Sequence, residues 1–107
     1  MQSFKPNIFL KLKSETKVRE SAIEKALHAR IKALGGEHRR VVWQGRSHAP
    51  DDLVLLPGRH LLVECKRPGA VPRSGQVREH ARLRAAGFEV HTISSIEQIE
   101  SILPCPN

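Results

Sequence analysis

Two short motifs, Pro50-Asp51 and Glu64-Cys65-Lys66, contain the residue types in this sequence that could do chemistry. Side chains alternate across a strand, so Glu64 and Lys66 are expected on one face and Cys65 on the other. A second acid arriving from a neighbouring strand, such as Asp51, would place two carboxylates beside a lysine. This combination of groups suits a divalent cation and the cleavage of a phosphodiester.

Phosphodiester hydrolysis needs a cation on the phosphate oxygens, a source of hydroxide near neutral pH, and positive charge where negative charge develops. Magnesium prefers oxygen ligands and is often held by one or two carboxylates, which Asp51 and Glu64 can supply. The backbone carbonyl of Cys65 is a further candidate ligand. Lys66 could stabilise the attacking water or the transition state. The alternative interpretation of the acid-x-Lys spacing is a structural ion pair or a solvated strand face.

Composition favours a small, basic, single-domain protein. The chain has 107 residues, with 18 Lys and Arg against 11 Asp and Glu, for a net charge of +7. This charge favours a polyanionic partner, either nucleic acid or an anionic membrane. No apolar run is long enough to span a bilayer and no signal peptide is indicated, so we expect a cytoplasmic protein, in the host cytoplasm if a phage encodes it. A domain of this size can recruit a second subunit.

The two cysteines and six histidines show no CxxC, HxxxH or HExxH spacing. A structural zinc site and a disulfide are therefore not expected, and Cys65 and Cys105 should both be reduced thiols. Each histidine fits a surface or core position better than a ligand position.

The clearest helix is predicted to begin at Ser14 or Thr16 and to end at Leu34, before Gly35-Gly36. Its apolar stripe consists of Ile23, Leu27, Ile31 and Leu34. Glu20 and Glu24 lie one turn apart on or beside this stripe, so at least one of them should face the protein interior.

The rest of the chain predicts alternating strands and helices. Strands are expected at 40–43, 52–56 and 60–65, and the turn Pro57-Gly58-Arg59 should join the last two as an antiparallel hairpin. A loop at 67–75 leads to a helix at 76–86, a strand at 88–93 and a short helix from about residue 94. The predicted order is α-β-β-β-α-β-α, a mixed sheet flanked by helices in the α/β class. One domain at 14–103 lies between an N-terminal arm at 1–13 and a tail at 104–107.

In this order along the chain, Glu24, Pro50-Asp51, the run from Glu64 to Gly69, and Gln76 resemble the VRR-NUC (virus-type replication and repair nuclease) family of the PD-(D/E)xK superfamily. The resemblance extends from about Glu20 to Leu103 and is to the stand-alone phage and bacterial members. It implies a restriction-endonuclease-like fold and DNA cleavage that depends on Mg²⁺ or Mn²⁺. It also implies a homodimer acting on branched DNA such as Holliday junctions.

The resemblance further implies a role for each matching residue. Asp51 and Glu64 would hold the metal, and Lys66 would lie in the active site. Glu24 matches the glutamate of the family's first helix, which orients the attacking water or holds a second ion, and Glu20 is the alternative. Gln76 matches a glutamine that packs at the catalytic site, although a helix residue exposed to water is an equal interpretation.

The sequence departs from the family pattern just before Asp51. The family usually has glycine two residues before the proline, and here that residue is His48. Gly45 could supply a displaced turn. Asp52 is expected to be solvated, and Trp43 is expected in the core, because no other aromatic residue accompanies it to form a base-stacking surface.

Arginines near the proposed site suggest contacts with phosphate groups. The candidates for DNA binding are Arg46, Arg67, Arg73 and Arg78. No P-loop, zinc finger or recognition-helix motif is present, so neither a nucleotide cofactor nor base-specific reading is indicated. Two alternatives remain open: a non-catalytic basic module that binds nucleic acid on the same fold, and a nuclease that acts on RNA.

Overall fold

The computed structural model of the protein describes residues 19–105. The predicted N-terminal arm at 1–13, the start of the predicted first helix and the last two residues of the tail lie outside this range. The described elements are α1 (Glu20–Ala33), β1 (Glu37–Arg40), β2 (Asp52–Leu56), β3 (Arg59–Cys65), α2 (Ser74–Ala85), β4 (Glu89–Ile93) and α3 (Ile96–Ile102). None of these helices is long and apolar enough to cross a membrane.

The four strands form one mixed sheet in the order β1-β2-β3-β4. The two neighbouring pairs β1/β2 and β2/β3 are antiparallel, whereas β4 runs parallel to β3. Because parallel neighbours need a crossover, α2 connects β3 to β4. The predicted α/β class, the order of elements and the hairpin around Pro57-Gly58 are confirmed.

Helices cover both faces of the sheet. On one face α1 and α3 pack over a continuous apolar cluster, to which α1 contributes Ile23, Leu27 and Ile31, each at most 1% exposed. Alternate residues of β3, ending at Cys65, point into the same cluster. On the other face α2 packs over a smaller cluster built around Leu62. Each buried Leu or Ile side chain contributes about 2 kcal/mol to this packing.

The first strand lies three residues earlier than predicted, and the prediction of a strand at 40–43 was wrong. Gly36 explains the shift, because a Cβ atom there would lie 2.6 Å from the backbone oxygen of Leu55. The chain therefore contacts β2 directly after α1 and begins to pair at Glu37, opposite Leu55. One further backbone bond, from Val41 N–H to Asp51 O at 2.8 Å, continues the pairing beyond Arg40, and Val42 is 88% exposed.

The ends of the second helix and last strand also differ slightly from the prediction. The second helix begins at Ser74 rather than Gln76 and ends at Ala85. In α3, the Ser95 hydroxyl accepts a hydrogen bond from the backbone N–H of Gln98 at 3.2 Å, as its N-cap.

A bidentate ion pair joins the two parallel strands. The guanidinium of Arg59 donates to both carboxylate oxygens of Glu89, at 3.0 and 2.5 Å, and also donates to the backbone oxygen of Ile102 at 2.8 Å. The hydrogen bonds from Arg59 lower the pKa of Glu89 to about 2, and the hydrogen bond from His91 makes a smaller contribution in the same direction. This arginine therefore links β3, β4 and the end of α3.

Replacing Glu89 by Gln should destabilise the protein at neutral pH by roughly 1 kcal/mol, because the pair is partly exposed and screened. A lowered carboxyl pKa gives stability that is complete above the ordinary value of 4.5 and is lost as pH falls towards 2. The difference in melting temperature between Glu89→Gln and the wild type should therefore shrink over this interval. The surface pair partner Glu37 provides the control, Glu37→Gln, which should have little effect at any pH. A pH-independent effect of Glu89→Gln would contradict the assignment.

Candidate functional site

The start of β2 and the end of β3 bring the two acidic motifs together. Asp52 of β2 lies opposite Val63 of β3 in the antiparallel register. Continuing this register by one residue places Asp51 opposite Glu64, with both side chains directed to the same face. Directly opposite residues of an antiparallel pair are close enough for their side chains to interact.

Glu64 is a partly buried carboxyl group with acidic neighbours. Burial, and then the negative charge of Asp51, raise the pKa of Glu64 to about 7, and Glu20 adds to this effect. Lys66 acts in the opposite direction. A carboxylate that lies away from water and beside another carboxylate is stabilised by a cation. The end of the hairpin is therefore a place where negative charge favours cation binding.

Arg40 links two of the acids, Asp51 and Glu24. Its guanidinium donates to Asp51 Oδ2 at 3.0 Å and lies 3.4 Å from Glu24 Oε2. Asp51 is about half exposed, whereas the Glu24 side chain is only 18% exposed, as expected for one glutamate of this helix. Sequence reasoning did not identify Arg40 as part of this site. Arg40 lies opposite Asp52 in the strand register, and its long side chain reaches both Asp51 and Glu24.

Lys66 lines an open cavity of about 370 Å³ at the end of β3. Its backbone N–H donates to the backbone oxygen of Ile93 at 2.8 Å, which extends the ladder between β3 and β4 past Cys65. Glu20 lines the same cavity, together with Arg67, Gly69, Ala70, Val71 and Arg73. Of the two candidate helix acids, Glu20 is thus the one that shares a cavity with Lys66, whereas Glu24 binds Arg40.

The remaining predicted residues lie around α2. Gln76 Oε1 accepts a hydrogen bond from the backbone N–H of Arg73 at 3.0 Å, which fixes the loop at the helix start. Arg78 is exposed on α2. Arg46 lies 3.5 Å from Glu79 Oε1, an oxygen that also binds Arg82. Arg46 is therefore held by a protein carboxylate.

The loop before Asp51 accommodates the histidine that replaces the usual glycine. Gly45 has φ of 73°, the left-handed region that favours glycine, so the turn lies three residues before His48. The ring of His48 packs against Gly75 in the first turn of α2, where a Cβ atom would lie 2.7 Å from the ring. The departure from the family pattern thus comes with a contact between this loop and α2.

The expectation that Asp52 is solvated was wrong, since its side chain is 0% exposed. As the first residue of β2, Asp52 directs its side chain to the face covered by α1, whereas Asp51 points the other way. Asp52 lies beside His28 and His38, which form a stacked pair. Trp43 is partly buried and packs on the cluster around Leu62, as predicted, and its indole N–H donates to Pro50 O at 2.7 Å.

Both cysteines are free, with Cys65 buried and Cys105 exposed. Burial raises the pKa of the Cys65 thiol strongly, so this side chain is neutral and sits in the apolar cluster. Only its backbone carbonyl is available as a ligand for a hard cation.

Comparison with known proteins identifies the family. The chain is 45% identical over 91 residues to "Putative nuclease p44" of Acyrthosiphon pisum secondary endosymbiont phage 1, covering 84% of this chain and 97% of the phage protein. The chain belongs to the VRR-NUC family of nucleases. A solved structure described as "VRR_NUC domain" has 39% sequence identity and a TM-score of 0.71, over 78% of this chain and 91% of that one. No protein-family sequence model matches the chain.

Changing Glu64 to Gln should stabilise the protein at pH 8 when no divalent ion is present. A raised carboxyl pKa means that folding retains a proton that the unfolded chain loses above 4.5, so stability falls as pH rises from 4.5 to about 7. Glu64→Gln removes this penalty, and we expect its melting temperature to exceed that of the wild type by a few degrees at pH 8 and to match it near pH 4.

The exposed Glu97 on α3 supplies a control, Glu97→Gln, which should show no such trend. Chelator-treated protein and a thermal melt at each pH suffice for the comparison. A Glu64→Gln variant less stable than the wild type at pH 8 would show that the carboxylate is compensated within the metal-free fold.

Proposed function

We propose that this protein is a divalent-metal-dependent DNA endonuclease that cuts branched DNA, such as Holliday junctions, by attack of water on a phosphodiester. The observation that carries the proposal is the position of Glu64, a partly buried acid that lies beside Asp51 and near Lys66. Membership of a nuclease family supports the same conclusion. The family alone leaves the metal, the nucleic acid and its shape open.

The donor set of this VRR-NUC chain fits Mg²⁺ or Mn²⁺. Asp51 and Glu64 would hold the ion through carboxylate oxygens, with the backbone carbonyl of Cys65 as a further oxygen. A bound cation would offset the repulsion between the two carboxylates and lower the raised pKa of Glu64. When bound, the ion would supply positive charge to the phosphate oxygens and lower the pKa of water.

Lys66 supplies the positive charge that the chain itself contributes. It lies two residues after Glu64 along the same strand direction, so both side chains lie on the same face. Its ammonium can donate to the phosphate oxygens as charge builds in the transition state.

Glu20 is the better candidate for the helix acid, although Glu24 fits the family spacing proposed from the sequence. Glu20 shares the cavity with Lys66 and raises the pKa of Glu64, and both observations support a role for Glu20 in orienting the attacking water. Glu24 instead positions Arg40, which in turn binds Asp51. Gln76 positions the loop through its bond to Arg73.

Basic residues beside the cavity form the proposed surface for DNA. Arg67 and Arg73 line the cavity with Lys66, and Arg78 is exposed on the adjoining helix. Arginine contacts with phosphate position a duplex without reading its sequence. Arg46 is a weaker candidate for this surface, because it pairs with Glu79, a carboxylate that it shares with Arg82.

Branched DNA and a homodimer are the finer parts of the proposal. Each chain carries one set of Asp51, Glu64 and Lys66, so a single chain makes one cut at a time. Paired nicks in opposed strands of a junction require two such sites in a symmetric arrangement, which a homodimer supplies. The resemblance to stand-alone members supports this arrangement.

Substituting any one of Asp51→Asn, Glu64→Gln or Lys66→Ala should lower the cleavage rate of a synthetic four-way junction by roughly 10²-fold or more, as loss of charge stabilisation in the transition state does. EDTA should abolish cleavage by the wild type, and Mg²⁺ or Mn²⁺ should restore it. The control Lys32→Ala removes an exposed charge on α1, outside the cavity, and should cleave normally.

Linear duplex and RNA versions of the junction should be cut more slowly, and light scattering should give the mass of a dimer. Lys66→Ala should still bind the junction, because Arg67, Arg73 and Arg78 remain. Junction binding by the wild type without metal-stimulated nicking would instead indicate a non-catalytic binding module. Equal cutting of linear DNA, or a monomeric mass, would overturn the branched-DNA part alone.

The helix acid can be assigned by comparing Glu20→Gln with Glu24→Gln. Glu20→Gln should lower the cleavage rate at saturating metal, because the acid next to Lys66 is lost. Glu24→Gln should mainly remove the ion pair with Arg40. We therefore expect a smaller loss of cleavage rate than in Glu20→Gln, together with a lower melting temperature than that of the wild type. The reverse order of the two rate losses would assign the role to Glu24.

A further inference from the structure

A cluster of two partly buried histidines and one buried aspartate lies one helical turn beyond Glu24. His28 projects from α1, His38 from β1 and Asp52 from β2, so three different elements meet here. The imidazole rings of His28 and His38 are stacked, with centroids 3.6 Å apart and planes 6° from parallel. One nitrogen from each ring and a carboxylate oxygen lie within 4.8 Å of one another.

Four polar atoms of this cluster have no hydrogen-bond partner among residues 19–105. They are both carboxylate oxygens of Asp52, His28 Nε2 and His38 Nδ1, and all four are buried. The distance from His28 Nε2 to Asp52 Oδ1 is 3.7 Å, which is too long for a hydrogen bond. An unpaired buried carboxylate is costly, and the Asp52 side chain is 0% exposed. Unpaired buried polar atoms that lie this close together favour a bound group that can pair with them.

We propose that His28, His38 and Asp52 form a binding site for a transition-metal ion of the zinc class, separate from the Asp51 and Glu64 pair. Two imidazole nitrogens and one carboxylate are a donor set that suits Zn²⁺, Co²⁺ or Ni²⁺ and does not suit Mg²⁺. A water molecule would complete a tetrahedral site.

Binding requires a local change in the cluster. Ligands of a tetrahedral zinc ion at about 2.0 Å lie roughly 3.3 Å from one another, so the three groups, now within 4.8 Å, must close by up to about 1.5 Å. Lone pairs of imidazole lie in the ring plane, so two parallel rings cannot both point at one ion. One ring therefore rotates out of the stack, and His28, with a side chain 28% exposed, has the freedom to do so.

The position of this site gives it a structural consequence. A metal held by His28, His38 and Asp52 would cross-link α1 to β1 and β2. Glu20 and Glu24 lie on the same helix at one-turn intervals from His28, and Asp51 directly precedes Asp52. The ion would therefore fix the elements that carry the acids of the proposed active site, without contacting the DNA. Zinc binding at this site does not depend on whether the protein cleaves DNA.

The test uses the full-length, untagged protein and Zn²⁺ or Co²⁺ alone. Isothermal titration should give one zinc ion per chain, in the presence of excess Mg²⁺. Co²⁺ should give visible absorption bands of a tetrahedral site, and the zinc absorption edge should show two imidazole ligands. His38→Gln should reduce zinc affinity by at least roughly 100-fold, since loss of an outer partner of a metal ligand alone costs about 10- to 100-fold.

Asp52→Asn is a second test variant, needed in case His38→Gln loses zinc only because it fails to fold. Asp52→Asn removes a buried carboxyl group whose oxygens lack hydrogen-bond partners, so its melting temperature without metal should equal or exceed that of the wild type, while the rise caused by zinc should vanish. His60→Ala, which changes an exposed histidine on β3, and Asp51→Asn should both retain the zinc-induced rise. Unchanged zinc affinity in His38→Gln, loss of the zinc ion in Asp51→Asn, or no stoichiometric zinc in the wild type would each overturn the proposal.

Discussion

Negative charge crowded at the open end of one β-hairpin is the constraint on which the rest of this structure depends. Asp51 and Glu64 face each other across the pair of strands, and Asp52 is buried directly behind them. Bringing these acids together in a partly buried place is unfavourable, because each carboxylate loses hydration and repels the others. The surrounding cationic groups, Arg40 and Lys66, offset only part of this charge. This end of the hairpin therefore favours the binding of cations.

The stable parts of the fold lie away from this end. Leu and Ile side chains of α1, β2, β3 and β4 form a continuous core, and the pair of Arg59 and Glu89 holds the opposite edge of the hairpin to α3. A rigid base allows the acids to stay close despite their repulsion, since the strand register fixes their separation. The hairpin turn at Gly58 sets that register, so the geometry of the site is determined at a distance from it.

Sequence reasoning predicted those features that depend on local pattern. The turn residues Pro57 and Gly58 specified the hairpin, which the structure confirms. Alternation along β3 predicts that Glu64 and Lys66 share one face. The position of β1 depended on how closely Gly36 approaches Leu55, a contact that no local periodicity encodes. Alternation also implied that Asp51 and Asp52 point in opposite directions. Which of the two is buried depended on where α1 lies, so the choice between them required the tertiary structure.

The histidine cluster shows the same limit most clearly. His28, His38 and Asp52 are separated by 10 and 14 residues, and short-range spacing rules for metal ligands detect only neighbours on one element. Here the helix supplies one ligand and two paired strands supply the others, so the cluster arises from packing alone. Because α1 carries Glu20, Glu24 and His28 on successive turns, this helix is linked to Asp51 through Arg40 at one end and contributes His28 to the cluster further along. Any ion that draws the three elements together would thus also fix the distance between the helix acids and Asp51.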